Sequence, residues 1–184
     1  MAALIPSASA TGSGTMTLAG PSTNSNQTVT IPDATGTMMV SGNMPAFGAY
    51  QSSAQTGVAN QTWTKVLFQT EEFDTNNNFA SSTFTPTVAG YYQLNSGIQP
   101  NSLTSGNVFK VAIYKNGSVY KEGNLIQTNT VFYSSATVGS VIYLNGSTDY
   151  AEIYLIGSFG GTYSLSPTTA MDRTYFNGCL LRSA

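Results

Sequence analysis

The sequence contains no histidine among its 184 residues. This absence removes the commonest general base, the serine–histidine catalytic arrangements and imidazole metal ligands. Cysteine occurs once, as Cys179, which excludes an internal disulfide. Because Cys179 stands among Phe176, Leu180 and Leu181, we expect a buried and unreactive thiol.

Charge is also scarce. Only 8% of the residues are charged, six basic against eight acidic, whereas about a quarter is usual in soluble domains. The chain has no basic patch to neutralise phosphates, so we expect no nucleic-acid partner. The first residues carry no charged segment, and no run reaches about 18 apolar residues. We therefore expect neither a secretory signal nor insertion into a membrane.

Residues 1–44 contain no aromatic side chain, but they contain a repeat. The segment GTMTLAG at 14–20 recurs as GTMMVSG at 36–42, with TVTIPD at 28–33 between them. Apolar residues fall two apart in each segment, which is strand spacing. Segments this short bury too little surface within one chain. We favour a β-rich stalk intertwined from several chains over residues 14–42, and disorder before it. The alternative is a disordered Ser/Thr/Gly linker.

Residues 45–184 form the predicted head domain. Strand candidates occupy residues 91–99, with apolar residues roughly on one face, and residues 108–114, 131–144 and 150–156, with apolar residues on both faces. A second sheet or another subunit must cover such two-faced strands. Asn-Gly pairs at Asn116 and Asn145 predict tight type I′ turns. No capped helical periodicity of ten residues appears, so the predicted fold class is all-β.

An aromatic-rich stretch, residues 68–94, contains Phe68, Asp74, Phe79 and Phe84, followed by GYYQL at 90–94. Its spacing resembles the signature of the complement component 1q globular head, one of the tumour-necrosis-factor-like jelly rolls. Two further segments are similar to that family: VAIYKNG at 111–117 and FNGCLL at 176–181. We assign the following residues to its structural core: Phe68, Phe73, Phe79, Phe84, Gly90, Tyr92, Phe109, Phe176 and Gly178.

The resemblance implies a ten-stranded jelly-roll sandwich that assembles as a homotrimer, with the N-terminal extension entering at its base. Two positions depart from the family pattern, because Leu94 and Ser96 stand where aromatic residues are usual. Residues 28–37, TVTIPDATGT, resemble segments of bacteriophage fibre and spike proteins. This second resemblance implies a virion protein, assembled in the host cytoplasm and attached by its stalk to a baseplate or capsid.

Antiparallel alternation predicts where a ligand would bind. If the last strand runs toward the base, three connections gather at the opposite, distal end. They carry the candidate ligand-binding residues Asn101, Ser102, Asn129, Phe159 and Tyr163. Aromatic faces, amides and hydroxyls suit a host surface glycan or protein. The alternative is that Phe159 and Tyr163 fold back onto the head as packing.

Acidic residues give weaker candidates. Glu71, Glu72 and Asp74 could act as an acid–base pair or a calcium site, but a hydrogen bond at a turn or strand end is the favoured role of Asp74. Asp149 and Glu152 flank a predicted hairpin. Glu152 would pair with Lys110 or Lys121, or bind an ion near a threefold axis. We assign no metal site and no cofactor.

The favoured function is a non-enzymatic, trimeric fibre or tail-tip protein of a virion that recognises a host cell. The first alternative is a purely structural trimerising cap, head fibre or capsid decoration protein. The second alternative is a hydrolase of surface glycans, using Glu71 and Glu72.

Overall fold

The computed structural model describes residue 26 and residues 44–101, 103–129, 134–165 and 173–184. Apart from Asn26, the predicted stalk lies outside the described residues, as does the candidate Ser102. The chain divides into two units, residues 1–36 and 37–184. All described residues except Asn26 belong to the second unit, which is the one described below.

The fold is an all-β sandwich, as predicted from the sequence. The strands of its first layer, sheet 1, are β1 (Ala46–Tyr50), β4 (Thr70–Asp74), β7 (Gly90–Ile98), β10 (Ala136–Leu144) and β13 (Tyr175–Ser183). These five strands are antiparallel and lie in the order β10-β7-β13-β1-β4.

The strands of the second layer, sheet 2, are β3 (Thr64–Lys65), β5 (Phe79–Ala80), β6 (Thr83–Phe84), β8 (Val108–Lys115), β9 (Ser118–Gln127) and β11 (Ala151–Ser158). Their order is β5-β6-β11-β8-β9, and β3 also pairs with β11. A separate pair joins β2 (Gln55–Val58) to β12 (Tyr163–Leu165). The described strands exceed the ten predicted because several are pieces of two to four residues.

Aromatic side chains join the two sheets. Phe47 of sheet 1 stacks on Phe84 of sheet 2, with ring centroids 4.3 Å apart. Phe84 also meets Tyr92 edge-on at 5.3 Å, and Phe176 packs edge-on against Phe47 at 4.9 Å. Such pairs add to the free energy of burying their large apolar surfaces. The core members predicted from the sequence that are buried here are Phe68, Phe79, Phe84, Tyr92, Phe109 and Phe176.

Two predicted glycines serve close packing rather than turns. A Cβ on Gly178 would collide with the Leu94 side chain and lie 2.8 Å from the Gln93 carbonyl oxygen. A Cβ on Gly90 would collide with the Arg182 carbonyl oxygen. Backbone atoms cannot move aside cheaply, so both positions require the absence of a side chain.

Two predictions about burial are wrong for the single chain. Phe73 is 50% exposed, because it pairs with Gly48 and lies over that glycine on the outer face of sheet 1. Cys179 is exposed, since Gly178 and Leu180 on either side of it point into the core. Side chains alternate between the two faces of a strand, so the apolar neighbours of Cys179 indicate the opposite face.

The two Asn-Gly signals differ. Asn116 and Gly117 both have positive φ, 52° and 78°, as the predicted type I′ turn requires, and they join β8 to β9 within one sheet. Asn145 begins a longer connection, in which its side-chain oxygen accepts from the backbone N–H groups of Ser147 and Thr148. The prediction of a tight hairpin there is wrong, because β10 and β11 lie in different sheets.

Candidate functional site

One end of the head, called the base, holds the point where the chain enters from residue 44. Pro45 accepts a hydrogen bond from the Leu180 N–H at 2.9 Å, which places the entry beside the last strand. Both Asn-Gly connections lie together, because the Asn116 side chain accepts from the Tyr150 N–H at 2.9 Å. A Cβ on Gly146 would meet the backbone of Ala89. The predicted grouping at the base is therefore present.

The opposite end, called the distal end, collects the connections that follow β7, β9 and β11. Thr128 donates its N–H to the Asn107 carbonyl at 2.9 Å and accepts from the Gly106 N–H at 2.7 Å. Gln99 donates its N–H to the Thr174 hydroxyl at 3.1 Å. These bonds tie three chain segments that are far apart in the sequence into one surface.

The sequence-derived candidates occupy this distal end in different ways. Asn101 is half-buried and Asn129 is exposed. Phe159 and Tyr163 stack on each other at 4.2 Å, and Phe159 also stacks on the core residue Phe109 at 6.2 Å. Burial raises the pKa of Tyr163 to about 12. Phe159 and Tyr163 therefore fold back onto the head, as the alternative to ligand binding expected. Their rings lie against the core and remain only partly exposed.

The absence of a side chain at Gly157 makes room for Phe159. A Cβ at that position would collide with the Phe159 ring and approach Phe109 at 2.9 Å. The Phe159 N–H donates to the Asn60 side-chain oxygen at 2.7 Å. The chain after β11 is thus held from both sides, which orders the start of the longest distal connection.

A cleft that the sequence analysis missed lies on the outer face of sheet 2, where β8 begins and β9 and β11 end. It has a volume of about 200 Å³. We call it the outer cleft. It is lined by side chains from three strands and one connection, namely Gln61, Val108, Lys110, Leu125, Ile156 and Ser158. Because these strand ends are distal, the outer cleft adjoins the distal connections.

Aromatic residues continue from the outer cleft across the same face. The Lys110 ammonium lies 5.5 Å from the centroid of the Trp63 ring and 2.6 Å from the Glu122 carboxylate. Trp63 meets Tyr114 edge-on at 5.7 Å, and Tyr114 stacks on Tyr154 at 3.9 Å. Trp63 is the one tryptophan of the sequence and stands in a polar connection. A tryptophan in such a context was the sequence feature from which an exposed aromatic face could have been predicted.

Glu152 forms part of a structural network instead of the pairs expected from the sequence. Its Oε1 accepts from Lys65 at 2.6 Å and from the Thr83 hydroxyl at 3.0 Å. Lys110 pairs with Glu122 instead, so the expected pairing of Glu152 with Lys110 is wrong. The network joins β3 and β6 to β11. Lys65 is 87 residues from Glu152 in the sequence, and the alternation of side chains along one strand does not indicate which distant residue will be its partner.

The two candidate aspartates also make structural bonds. Asp74 accepts from the Phe79 N–H at 2.7 Å and from the Asn76 N–H at 3.3 Å, which closes the turn after β4. Asp149 accepts from Lys115 at 2.9 Å and from the Asn116 amide at 2.7 Å. Within the described ranges no group of three or more metal-ligating side chains comes together.

The residues of the hydrolase alternative, Glu71 and Glu72, lie exposed on β4, the edge strand of sheet 1. They are outside the outer cleft and the distal connections. In the part of the chain that the structure describes, no helix is long and apolar enough to span a membrane.

Comparison with known proteins identifies the fold. No family model matches the chain, and no curated protein matches it. Solved structures do match. The globular domain of zebrafish complement 1qA is 18% identical, with a TM-score of 0.54 over 76% of this chain and 98% of that one. Murine APRIL is 12% identical, with a TM-score of 0.54 over 75% and 99%.

The tumour-necrosis-factor protein Eiger of S. frugiperda is a third match. It is 10% identical, with a TM-score of 0.52 over 77% of this chain and 93% of that one. At such identities the likeness concerns the fold alone. The two-sheet sandwich and these matches lead to one conclusion: the head has the jelly-roll fold of complement 1q and tumour-necrosis-factor-like domains.

Proposed function

We propose that the chain is a non-enzymatic subunit of a trimeric bacteriophage fibre or tail tip, which recognises a host-cell surface through the distal end of its head. Residues 1–44 would attach it to the baseplate or capsid, so its location would be the virion. This proposal combines the fold of the head with the likeness of residues 28–37 to phage fibre segments.

The observation that carries the proposal is the separation of the two ends. The chain enters the head at the base, where Pro45 bonds to Leu180. The described parts of the connections that follow β7, β9 and β11 meet at the other end, where Thr128 and Gln99 join them. Recognition residues concentrate on loops held by a rigid scaffold. A head carried at its base presents those loops outward.

The outer face of sheet 1 supports assembly. Tyr91 and Tyr143 are cross-strand partners there, with rings 5.5 Å apart, and three more large apolar side chains of this sheet are at least 45% exposed: Phe73, Val141 and Leu181. Clustered apolar exposure marks an interaction surface. A face-to-edge contact between identical chains is heterologous, and it forms a ring when the rotation between subunits closes. A closed ring of three is the homotrimer that the sequence resemblance implies.

A trimer gives adhesion its strength. Three identical distal ends on one stalk would engage a host surface together, and each bound head raises the effective concentration of the next. Each site can therefore be weak. Asn101, Ser102 and Asn129 would contact the ligand, while Phe159 and Tyr163 hold the connection after β11 in place.

Binding of the purified full-length protein to host cells tests the proposal. Replacing Asn101 and Asn129 together by Ala should lower binding about tenfold or more, because the loss at each site is multiplied across the trimer. Ser118→Ala, at the base, is the matched control and should bind as the unaltered protein does. Full binding by the double variant, with its assembly unchanged, would contradict recognition at the distal end.

The structural-cap alternative is favoured by the apolar outer face of sheet 1, since a surface that joins subunits suffices for a cap. The two functions differ in outcome. A cap binds no host cell, and deletion of residues 1–44 abolishes its incorporation into particles. An adhesive head binds cells as an isolated, assembled protein.

A further inference from the structure

We propose that Glu72 of one chain forms an ion pair with Lys121 of the next chain around the homotrimer. A second copy of the chain is then the partner of the outer face of sheet 1, and this ion pair sets how the two copies align. This inference rests on the assembly in the proposed function, and it adds the residues that determine the contact.

Glu72 and Lys121 are charged side chains without a partner in their own chain. Three ion pairs join six of the charged residues that the structure describes, namely Lys65–Glu152, Lys110–Glu122 and Lys115–Asp149. Within the same described residues, the side chains of Glu72 and Lys121 make no ion pair and no hydrogen bond. Both are exposed, so both are available to a second molecule.

A β-bulge turns Glu72 onto the outer face of sheet 1. The register between β1 and β4 passes from Gly48–Phe73 to Ala49–Glu71, which leaves Glu72 as the extra residue. Such bulges re-aim a side chain. A Cβ on Gly48 would lie 2.8 Å from the Phe73 ring and 3.2 Å from the Glu72 carboxylate, so both side chains cover this glycine. Glu71 stands opposite the buried Ala49 and therefore belongs to the other face.

The surroundings of Glu72 require a cation once a second copy covers them. The outer face of sheet 1 exposes the apolar side chains of Phe73, Val141, Tyr143 and Leu181. A subunit packed against that face removes water from the Glu72 carboxylate as well. A carboxylate that loses its water without gaining a partner costs free energy. The covering copy must therefore bring the cation.

Lys121 lies on the opposite side of the sandwich from Glu72. β4 and β10 are the two outermost strands of sheet 1. β9, which carries Lys121, adjoins β10, because the Tyr120 hydroxyl donates to the Val141 carbonyl at 3.3 Å. Four strand spacings separate β4 from β10, or roughly 19 Å, so the two charges do not meet within one chain. They meet between copies when opposite sides pack together, which is a heterologous contact.

The height of Lys121 between the base and the distal end follows from its neighbours on β9. Tyr120 reaches the level of Val141 on β10. Gly123 lies against Thr137, because a Cβ on Gly123 would collide with the Thr137 carbonyl oxygen. Lys121 therefore lies between the levels of residues 137 and 141.

Glu72 lies at that same level on the other side of the sheet. One row of paired residues crosses sheet 1 there: Gly139, Asn95, Asn177, Gly48 and Phe73. Glu72 is next to Phe73. Arg182, another exposed cation, pairs with Tyr91 in register, about 13 Å nearer the base. Rotation about an axis from base to distal end preserves height, so Lys121 of the next copy meets Glu72 and Arg182 does not.

The same charges oppose a two-fold contact between copies. If two chains paired through the free edge of β4, Glu71 and Glu72 of each would face their counterparts, and like charges placed opposite each other destabilise a strand pair. Two chains joined through β9 would bring Lys121 against Lys121. Opposite charges on opposite sides therefore favour a heterologous ring over a two-fold dimer.

Fluorescence-detected ultracentrifugation of the full-length protein tests the ion pair through the dissociation of the trimer. Glu72→Lys and Lys121→Glu each place like charges at every contact. Each should raise the concentration at which half of the trimer dissociates by about tenfold or more. The variant with both substitutions exchanges the two charges, and it should return that concentration to within about threefold of the unaltered value.

Glu71→Lys is the matched control, because it makes the same change of charge one residue away and on the other face. It should shift the dissociation by less than about threefold. Salt gives a second measurement. Raising NaCl from about 0.05 M to about 0.5 M should promote dissociation of the unaltered protein by screening the ion pair. The variant with both Glu72→Gln and Lys121→Gln should lose most of this dependence. These side chains are exposed, so folding should persist, and circular dichroism checks this.

Three results would overturn the inference: charge exchange that fails to restore the trimer, equal effects of Glu71→Lys and Glu72→Lys, or dissociation that salt leaves unchanged. The proposed function fails separately. If charge exchange restores the trimer but the protein binds no host cell, the ion pair stands and the adhesive role does not. If the protein binds host cells as a trimer that Glu72→Lys leaves intact, the reverse holds. A monomeric unaltered protein would remove both the ion pair and the assembly.

Discussion

Asp149 shows how one side chain organises the base of the head. Its carboxylate accepts from Lys115 at 2.9 Å, from the Asn116 amide at 2.7 Å and from the Asn145 N–H at 3.1 Å. The hydrogen bond from Lys115, followed by that from Asn116, lowers the pKa of Asp149 below its ordinary value of 3.8. One carboxylate therefore joins the two connections that carry the Asn-Gly pairs.

The lowered pKa predicts a pH dependence of stability. The native state keeps Asp149 charged to a lower pH than the unfolded state does, so its stabilisation is complete above about pH 4 and is lost as the pH falls through the native pKa. Asp149→Asn should lose stability at pH 7 and show a shallower decline on acidification. Urea midpoints between pH 7 and pH 2.5, at fixed protein concentration, measure this.

Ser118→Ala is the control for Asp149→Asn, because it alters the neighbouring turn without changing a titrating group. It should retain the acid profile of the unaltered protein. An Asp149→Asn profile parallel to that of the unaltered protein would show that other carboxyl groups carry the acid transition.

At the scale of elements, the hairpin of β5 and β6 has an unusual turn. Ser81 and Ser82 both have positive φ, 50° and 60°, although neither is the Asn or Gly that such turns favour. The hydrogen bonds of the Ser82 hydroxyl explain why serine occupies this position. The hydroxyl accepts from the Phe68 N–H at 2.8 Å and donates to the Phe68 carbonyl at 3.3 Å. Ser81 makes no comparable buried bond within the described residues.

This difference predicts opposite effects of two substitutions. Ser81→Asn should stabilise the head by about 0.5 kcal/mol, because Asn tolerates left-handed backbone better than Ser does. Ser82→Ala should destabilise it by about 1–3 kcal/mol, because it leaves the buried Phe68 amide without a partner. Urea unfolding at one protein concentration measures both. Effects of the same sign would contradict the assigned role of Ser82.

At the scale of the whole molecule, the outer face of sheet 1 and the edge beside it decide how heads can associate. Tyr120 on β9 crosses to β10, where its hydroxyl donates to the Val141 carbonyl at 3.3 Å, and Tyr120 is still 43% exposed. Tyr120 therefore continues the apolar surface of sheet 1 onto the adjoining edge, although β9 also exposes Lys121 and Glu122. We expect the edge at Tyr120 and the outer face of sheet 1 to form the two halves of a heterologous contact between copies of the chain.

The assembly prediction follows from that pairing. Light scattering of the full-length protein should give three times the chain mass of 19.4 kDa. Replacing Tyr143 and Leu181 together by Asp should lower the mass to that of one chain, since buried unpaired charges oppose association. Leu67→Asp, the control, should stay trimeric. A monomeric mass for the unaltered protein would remove the basis of the assembly proposal.

Residue patterns along the chain were sufficient for the fold class and most of the core. Alternating apolar residues indicate strands, and the spacing of Phe79, Phe84, Tyr92 and Phe176 matched the signature of the family, whose core these residues form here. The turn at Asn116 was also predictable, because its conformation depends on two adjacent residues. These features depend on local chemistry, which the sequence displays directly.

Strand register and the packing of two sheets decided the rest. Phe73 and Cys179 are exposed because their partner strands place them on the outer face, and no local pattern records a partner. Glu152 meets Lys65 because β3 pairs with β11. The outer cleft draws Gln61, Leu125 and Ile156 from three separate segments. The sequence alone determined the all-β class, most of the core and the turn at Asn116. Tertiary structure decided which face each remaining side chain occupies and which distant residues meet, because contacts between distant segments exist only after the sheets have formed.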